Sequence, residues 1–207
     1  MKIFSTDSSL YIFLQRLWDI LQVNFMWVLF SLPIVTVGAS TAAAFKVCQH
    51  MADDREGYVV REFIKEFKEN IKQGSVVGLI SLVAVYSLYL DLQLFIKADK
   101  GQPVFLLVSL LSGLLFSVCI IYAYPLLVRY KNTLGRIMGN AFKIYFRYIG
   151  RTIIIMLIVT VEIVLIFFNK TTIFIGILIG PACIIYTIAG MTLRIFTDIE
   201  KNGEASY

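Results

Sequence analysis

Charged residues are scarce in this chain. Asp, Glu, Lys and Arg together make up 16% of its 207 residues, whereas a soluble domain carries about 25%. Apolar residues reach 58%, and the mean hydropathy is +0.79. This composition excludes a soluble globular enzyme, a disordered tail and a collagenous or coiled-coil rod. The net charge of +5 does not indicate a nucleic-acid partner, because the basic residues lie between apolar blocks.

Cysteine and histidine are also rare. Three cysteines (Cys48, Cys119 and Cys183) and one histidine (His50) provide neither a disulfide framework nor a zinc site. The sequence contains no glycine-rich phosphate loop and no serine, histidine and aspartate set for nucleophilic catalysis. We therefore expect no metal, no cofactor and no enzymatic activity. His50 follows a run of small residues, and we expect it to be an exposed surface residue.

The sequence is rich in long apolar blocks. A helix that crosses a bilayer needs about 20 mostly apolar residues. The charges leave five such blocks, at residues 20–45, 73–96, 101–128, 152–169 and 171–193. The sequence therefore predicts an all-α fold, a polytopic bundle of five transmembrane helices in a single domain of residues 1–207. The first block is too long for a signal-peptide core and lacks a cleavage site, so we expect it to stay in the mature protein.

The first block contains a helix breaker. Pro33 removes a backbone donor and clashes with the preceding turn, and Gly38 opens a run of small residues. The favoured interpretation is a kinked spanning helix. The alternative is a break, with a short second helix that starts at Thr36 and lies near the cytoplasmic surface.

The basic residues predict the orientation. Loops one and three and the C-terminal tail hold 14 Lys and Arg residues, against 5 in the N-terminal segment and the other connections. Basic residues favour the cytoplasm. We therefore predict that the N-terminus lies outside and the C-terminus inside.

Each of the two predicted cytoplasmic loops contains an amphipathic helix. In loop one, Val59, Phe63 and Phe67 share one face, and the six acidic residues of 46–72 balance its six basic ones. This helix either docks on a partner protein or packs on the protein's own span ends. Loop three has six basic and no acidic residues over 129–151, with an N-cap expected at Asn132 or Thr133. Such a helix is typical of contact with anionic lipid headgroups.

Four charged residues lie in or beside the apolar blocks. Glu162 lies near the middle of the fourth block, where an ionisable residue is a functional candidate. We favour a carboxyl group hydrogen-bonded to a neighbouring helix over a proton or cation site. Asp91 is expected at the membrane interface, within reach of Lys97. Arg194 and Asp198 are four residues apart, and this spacing predicts an ion pair across one turn.

Several short motifs resemble those of the bacterial YesL-like family, which is named as a domain of unknown function. The most specific has Asn24, Trp27, then Ser31-Leu32-Pro33-Ile34, Thr36 and Gly38-Ala39-Ser40, followed by Ala42, Ala43 and Ala44. Further along the chain come Phe63, Phe67-Lys68, Asn70 and Lys72-Gln73, then Tyr124-Pro125-Leu126-Leu127, Arg129-Tyr130, and Asn140-Ala141-Phe142. These motifs follow the family's order. The last two blocks, including Glu162, carry no motif of this kind.

The resemblance implies a small multi-pass protein of the bacterial plasma membrane. Genes of the family usually neighbour those for oligosaccharide uptake by ABC importers, which implies an accessory subunit that binds the permease subunits. The alternative function is an independent carrier or channel that uses Glu162. The candidate partner-binding residues are the motif positions Asn24, Trp27, Ser31, Pro33, Thr36, Gly38, Ala42, Phe63, Phe67, Asn70, Arg129 and Asn140.

Overall fold

A computed structural model describes residues 9–55, 57–97, 103–130 and 132–201. Its eight α-helices in these ranges are α1 (Ser9–Ser31), α2 (Val37–Ala52), α3 (Val59–Lys97), α4 (Pro103–Val118), α5 (Tyr124–Arg129), α6 (Leu134–Arg147), α7 (Ile149–Ile166) and α8 (Lys170–Lys201). A 3₁₀ turn (Ile34–Thr36) separates α1 from α2, and a π-helical turn (Cys119–Ala123) joins α4 to α5. The described residues form no strand, so the predicted all-α class is confirmed.

The first apolar block is not one spanning helix. Its first part belongs to α1, which ends at Ser31. A 3₁₀ turn follows, and the rest of the block belongs to α2. The two helices are antiparallel, because Trp27 bonds to Thr41 near the turn and Arg16 pairs with Asp54 at the far end. The prediction of a kinked span over 20–45 is therefore wrong. Pro33 lacks the donor that would continue α1, and its carbonyl accepts the Thr36 N–H at 2.8 Å instead.

The helix that follows the break does not lie on the surface. The alternative interpretation was right about the break but wrong about the position of α2, because residues from Gly38 to Phe45 are all buried. The break also contradicts the predicted placement of the N-terminus opposite loop one. One crossing over 20–45 would separate Arg16 from Asp54, whereas these two side chains form an ion pair.

The other four apolar blocks form long helices. Among the described residues, four helices are long and apolar enough to cross a membrane: Val59–Phe95, Val104–Arg129, Ile149–Ile166 and Lys170–Lys201. The helix predicted in loop one is the first part of α3, continuous with the span. The helix predicted in loop three is α6, which begins after Thr133 as expected and buries Ile137, Ala141, Ile144 and Tyr145.

The core lies where α2 packs against α3, α5 and α8. Its largest fully buried side chains include Phe45, Tyr122, Tyr124 and Phe196. The rings of Phe45 and Tyr124 stack with centroids 5.9 Å apart. By contrast, α7 buries only Thr152 and Ile155, so most of its surface is left for lipid or for another protein.

Small residues bring α2 and α3 into backbone contact. A Cβ atom placed on Gly38 would lie 2.1 Å from the Gly74 carbonyl oxygen and 2.5 Å from the Gly78 Cα. No side chain fits in this space, so glycine is required at the crossing. Close approach through small residues is a common way for helices to associate in membranes, where apolar burial gives little driving force.

Candidate functional site

Polar side chains gather at the end of the bundle where α1 starts and α2 ends. They surround a cleft of about 800 Å³ between α1, α2 and α3. Arg16 pairs with Asp54, and the His50 ring pairs with Glu62 across the α2–α3 contact. Asp19 also lines the cleft. Burial raises the pKa of Asp19, and the nearby Arg16 guanidinium partly offsets this. We call this region the polar cleft.

The chain reverses direction beside the polar cleft. Asp54 has a positive φ of 51°, a left-handed conformation that aspartate adopts more readily than most residues. The Asp53 N–H bonds to the Gln49 and His50 carbonyls, which ends α2. Asp53 also pairs with Arg55 at 2.6 Å. The turn therefore holds the charges of the cleft on a fixed backbone.

A second polar cluster holds the end of α8 against α5. The Arg129 guanidinium donates two hydrogen bonds to the Glu200 carboxylate, both at 2.9 Å, and the Tyr130 hydroxyl donates a third at 2.6 Å. Burial, followed by the Glu200 hydrogen bond, raises the pKa of Tyr130 to about 12. Tyr130 is therefore neutral at physiological pH and keeps the proton that it donates. We call this set the α5–α8 clamp.

The polar cleft and the clamp are neighbours. A smaller cavity of about 250 Å³ lies between them and includes His50, Asp53 and Arg55 from the cleft side, with Arg129, Tyr130 and Glu200 from the clamp. Two residues before Glu200 on α8, Asp198 pairs with Arg151 of α7 at 2.6 Å. Opposite charges thus face water in fixed positions over one end of the bundle.

This arrangement is suited to recognition by complementary charge. Charged groups held in fixed geometry give specificity and steer the approach of a partner. Within the described ranges, no group of three His, Cys, Asp or Glu side chains is placed to hold a metal ion.

Asn24 of the first motif lies deep between α1 and α8. Its amide nitrogen donates to the carbonyls of Ile177 (3.1 Å) and Leu178 (2.7 Å), and its amide oxygen accepts the Ala182 N–H at 3.3 Å. Only 3% of the residue is exposed. Asn24 therefore stabilises the packing of this chain on itself and presents no free surface to a partner.

The other residues of the first motif shape the turn between α1 and α2. The Trp27 ring N–H donates to the Thr41 hydroxyl at 3.1 Å. The Thr36 hydroxyl lies 2.7 Å from the carbonyl oxygens of both Phe30 and Pro33. The Ser31 hydroxyl is buried and has no hydrogen-bond partner in the described part of the chain. The exposed apolar residues at the turn are Leu32, Ile34 and Val35.

Gly38 and Ala42, two of the candidate partner-binding residues, are four residues apart and form a ridge without bulky side chains. Both are buried, and the helix that packs on Gly38 is α3 of the same chain. The structure therefore gives this ridge an internal role. The α3 backbone fills the space beside Gly38, and Ala42 is fully buried within this chain.

The loop-one motif also faces inward. Phe63 is fully buried, and the Phe30 ring lies 5.7 Å from the Phe63 ring and 4.8 Å from the Phe67 ring, measured between centroids. Asn70 donates to the carbonyl and the carboxylate of Glu66. Of the two interpretations of this helix, the structure favours packing on the protein's own helices.

Arg129 and Asn140 lie in different surroundings. Arg129 is the centre of the α5–α8 clamp, whereas Asn140 is half-buried on α6 and takes part in none of the described hydrogen bonds. Partner contact by either residue stays a prediction.

Sequence reasoning missed several residues that hold the site together. Lys46 was placed at the end of a span, but its ammonium donates to the Val128 carbonyl at 2.9 Å. Gln49 donates to the Pro125 carbonyl at 3.2 Å within the core. Glu200 gave no signal, because its partner Arg129 lies 71 positions earlier. The available clues were Gln49, which is buried, and Arg129, which lies next to Tyr130 of the motif.

The charged positions near the apolar blocks gave mixed outcomes. Thr187 donates to Glu162 at 2.6 Å, which confirms the predicted hydrogen bond to a neighbouring helix. Asp91 was expected at the interface but is 6% exposed, and its second carboxylate oxygen has no partner among the described groups. The side chain of Lys97 lies outside the described residues, so that pairing is not described.

Two further predictions were wrong. Arg194 does not pair with Asp198, because Asp198 pairs with Arg151 of α7. His50 is half-buried and pairs with Glu62, because α2 packs directly beside α3. Both errors come from treating the polar end as a set of independent loops.

The fold defines a class of protein: an all-helical, multi-pass membrane protein whose polar groups gather at one end. Residues 20–92 match the family described as "Protein of unknown function, DUF624". The chain is also 27% identical over 150 residues to "Uncharacterized protein YesL" of Bacillus subtilis (strain 168), which covers 70% of this chain and 71% of that protein. No solved structure matches. The predicted resemblance to the YesL-like family is therefore confirmed.

Proposed function

We propose that this protein is an accessory integral-membrane subunit of a carbohydrate ABC importer in the bacterial plasma membrane, where it binds the permease subunits. The proposal starts from the YesL-like resemblance, with its link to oligosaccharide uptake. The polar cleft is the observation that carries it. Its charged groups lie on α1, α2, α3 and the turn after α2, and charges held in a defined arrangement give specificity to the recognition of a protein partner.

The proposed topology follows from the hairpin of α1 and α2. If the four long helices each cross the membrane, the start of α3 and the end of α8 lie on one side. The start of α1 lies there too, beside Asp54. That side carries 16 of the 19 Lys and Arg residues, so it is the cytoplasmic side. We thus replace the outside N-terminus with a cytoplasmic one.

The division of roles within the chain also supports the proposal. Most described motif residues brace the hairpin, the α2–α3 crossing and the clamp. The exposed apolar face of α7 remains available for contact with permease helices. The polar cleft remains available for contact with the cytoplasmic segments of the permease.

Co-purification tests the proposal. The protein, tagged at its C-terminus, is purified in mild detergent from a host that carries the importer genes, and the amount of permease per tagged subunit is measured. We expect a fixed ratio near a stoichiometric value. Asp19→Asn with Asp54→Asn removes two carboxylates from the cleft and should lower the ratio. Glu69→Gln removes an exposed carboxylate outside the cleft and should leave the ratio unchanged.

Recovery of the tagged protein without permease would contradict the accessory role. An equal ratio in the double cleft variant and in Glu69→Gln would show that the complex forms without the polar cleft as its contact surface.

A second candidate function, an independent carrier or channel, is favoured by one observation. One carboxylate oxygen of Glu162 and one of Asp91 are buried without a described partner, as in groups that exchange protons or cations. Uptake by the purified protein alone in vesicles would favour this function over the accessory role.

A further inference from the structure

A groove lies between the first part of α3 and the start of α6, away from the polar cleft. Its volume is about 770 Å³, and Lys68, Lys72 and Arg136 line it. The Gln73 side chain closes one end by donating to the Asn132 carbonyl at 3.3 Å. Three cationic side chains from α3 and α6, which are distant in the sequence, thus lie close together. We call this the basic groove.

The basic groove carries uncompensated positive charge. None of its three cations lies within ion-pair distance of a carboxylate in the described ranges. The one acidic residue that lines it, Glu69, pairs with Lys65 at 4.0 Å. The groove therefore attracts an anion with several oxygens.

An exposed apolar stripe begins one turn beyond Lys72 on the same face of α3. Val76, Leu79, Val83 and Tyr86 follow at helical spacing, with exposures of 44%, 63%, 60% and 62%. The ten helical steps from Val76 to Tyr86 extend about 15 Å. This is the depth of one leaflet, half of a hydrocarbon core of about 30 Å. One helix face thus passes from cationic to apolar at the point where a membrane surface would lie.

We propose that the basic groove and the apolar stripe together form a binding site for one anionic phospholipid of the cytoplasmic leaflet. Lys68, Lys72 and Arg136 bind the phosphate of the headgroup, and the acyl chains lie along Val76, Leu79 and Val83. A free phosphate compound would satisfy the cations but leave the stripe unused. The site goes beyond the proposed function, because it requires no importer.

Lipid titration of the purified full-length protein, followed by native mass spectrometry, tests the site. The probes are phosphatidylglycerol, phosphatidylcholine and the soluble headgroup analogue glycerol 1-phosphate. Near an anionic surface each basic residue contributes about a fivefold gain in affinity. The triple variant Lys68→Gln, Lys72→Gln, Arg136→Gln should therefore bind phosphatidylglycerol about a hundredfold more weakly than the parent.

A matched control separates a site from a general charge effect. Arg61→Gln, Lys143→Gln and Arg194→Gln remove the same charge from exposed positions outside the groove and should retain parent affinity. Lys68→Arg with Lys72→Arg keeps the charge and should also bind normally. All substituted positions are at the surface, and circular dichroism verifies that each variant is folded.

Each other outcome overturns the proposal. Equal losses in the two triple variants would show only a general charge effect. Equal affinity for phosphatidylcholine and phosphatidylglycerol would remove the role of the anionic headgroup. Binding of glycerol 1-phosphate as tight as that of the lipid would assign the groove to a free phosphate compound.

Discussion

Asn24 of α1 supplies the hydrogen bond that Pro181 removes from α8. Proline has no N–H, so the Ile177 carbonyl lacks its partner one turn later in the helix. The Asn24 amide donates to this carbonyl at 3.1 Å and accepts the N–H of Ala182, the residue after the proline. Two residues 157 positions apart thus form one structural unit. These hydrogen bonds explain what the asparagine of the most specific motif does in the fold.

A double-mutant cycle tests this unit. Asn24→Ala leaves buried backbone groups without a partner and should destabilise the protein by about 1–3 kcal/mol. Pro181→Ala gives α8 its own donor to the Ile177 carbonyl. The double variant should therefore be less destabilised than the two single effects predict, with a coupling of about 1 kcal/mol. Unfolding of all four proteins in the same detergent measures the coupling, and simple additivity would refute it.

Substitution of Gly38 should be far more harmful than substitution of another helical glycine. Gly38→Ala places a Cβ atom 2.1 Å from the Gly74 carbonyl oxygen, so α2 and α3 must separate. A Cβ atom on Gly139 would meet no other atom within 4 Å. Alanine at position 139 should therefore be neutral or stabilise α6 by up to about 1 kcal/mol through helix propensity. Thermal unfolding of the two variants provides the comparison, and equal stability would contradict the close contact.

The length of the apolar blocks predicted most of the fold, because spanning helices depend on local composition. Blocks two to five became parts of α3, α4–α5, α7 and α8. The first block did not form a single spanning helix, because hydropathy does not distinguish one long helix from two short helices packed together. Pro33 marked the break, and the close contact of Gly38 with Gly74 and Gly78 packs the second helix of the hairpin against α3.

Ion pairs were harder to predict than helices. Spacing along one helix suggested Arg194 with Asp198, whereas the observed partner of Asp198 is Arg151, 47 positions away. Such pairs are set by which helices become neighbours, and that depends on packing across the whole chain. The same limit hid Glu200 and His50 from sequence reasoning.

Cysteine labelling tests the proposed topology. Gln15→Cys and Thr171→Cys are introduced into a chain in which Cys183 is replaced by serine, while Cys48 and Cys119 stay because they are buried. A membrane-impermeant thiol reagent should label position 171 in intact cells and position 15 only after the cells are opened. Labelling of position 15 in intact cells would restore the outside N-terminus.

Glu162→Gln separates the two candidate functions. Glutamine can still accept the Thr187 hydrogen bond, which is 2.6 Å long in the structure, so the accessory role predicts normal protein level and normal sugar uptake. A carrier that moves protons or cations through this carboxyl would lose transport with normal protein level. Thr187→Val is the companion variant, because it removes the donor and leaves the carboxyl in place.

The α5–α8 clamp should depend on the shape of the arginine. Arg129→Lys keeps the charge but cannot make two parallel hydrogen bonds to Glu200. We expect faster hydrogen exchange in the last turn of α8 and little change in α2 or α3. A Glu200→Gln variant should give the same local effect. Unchanged exchange in both variants would show that other contacts hold α8.

The long reach of Asn24 has a consequence for how the chain is made. Its acceptors, Ile177 and Leu178, are synthesised more than 150 residues later, and the glycines that fit Gly38 follow 36 and 40 positions behind it. Asn24 therefore reaches its final contacts only after α8 has been made. Chains halted before Pro181 should hold an α1–α2 hairpin that proteases still cut, and protection should appear only when α8 has been inserted.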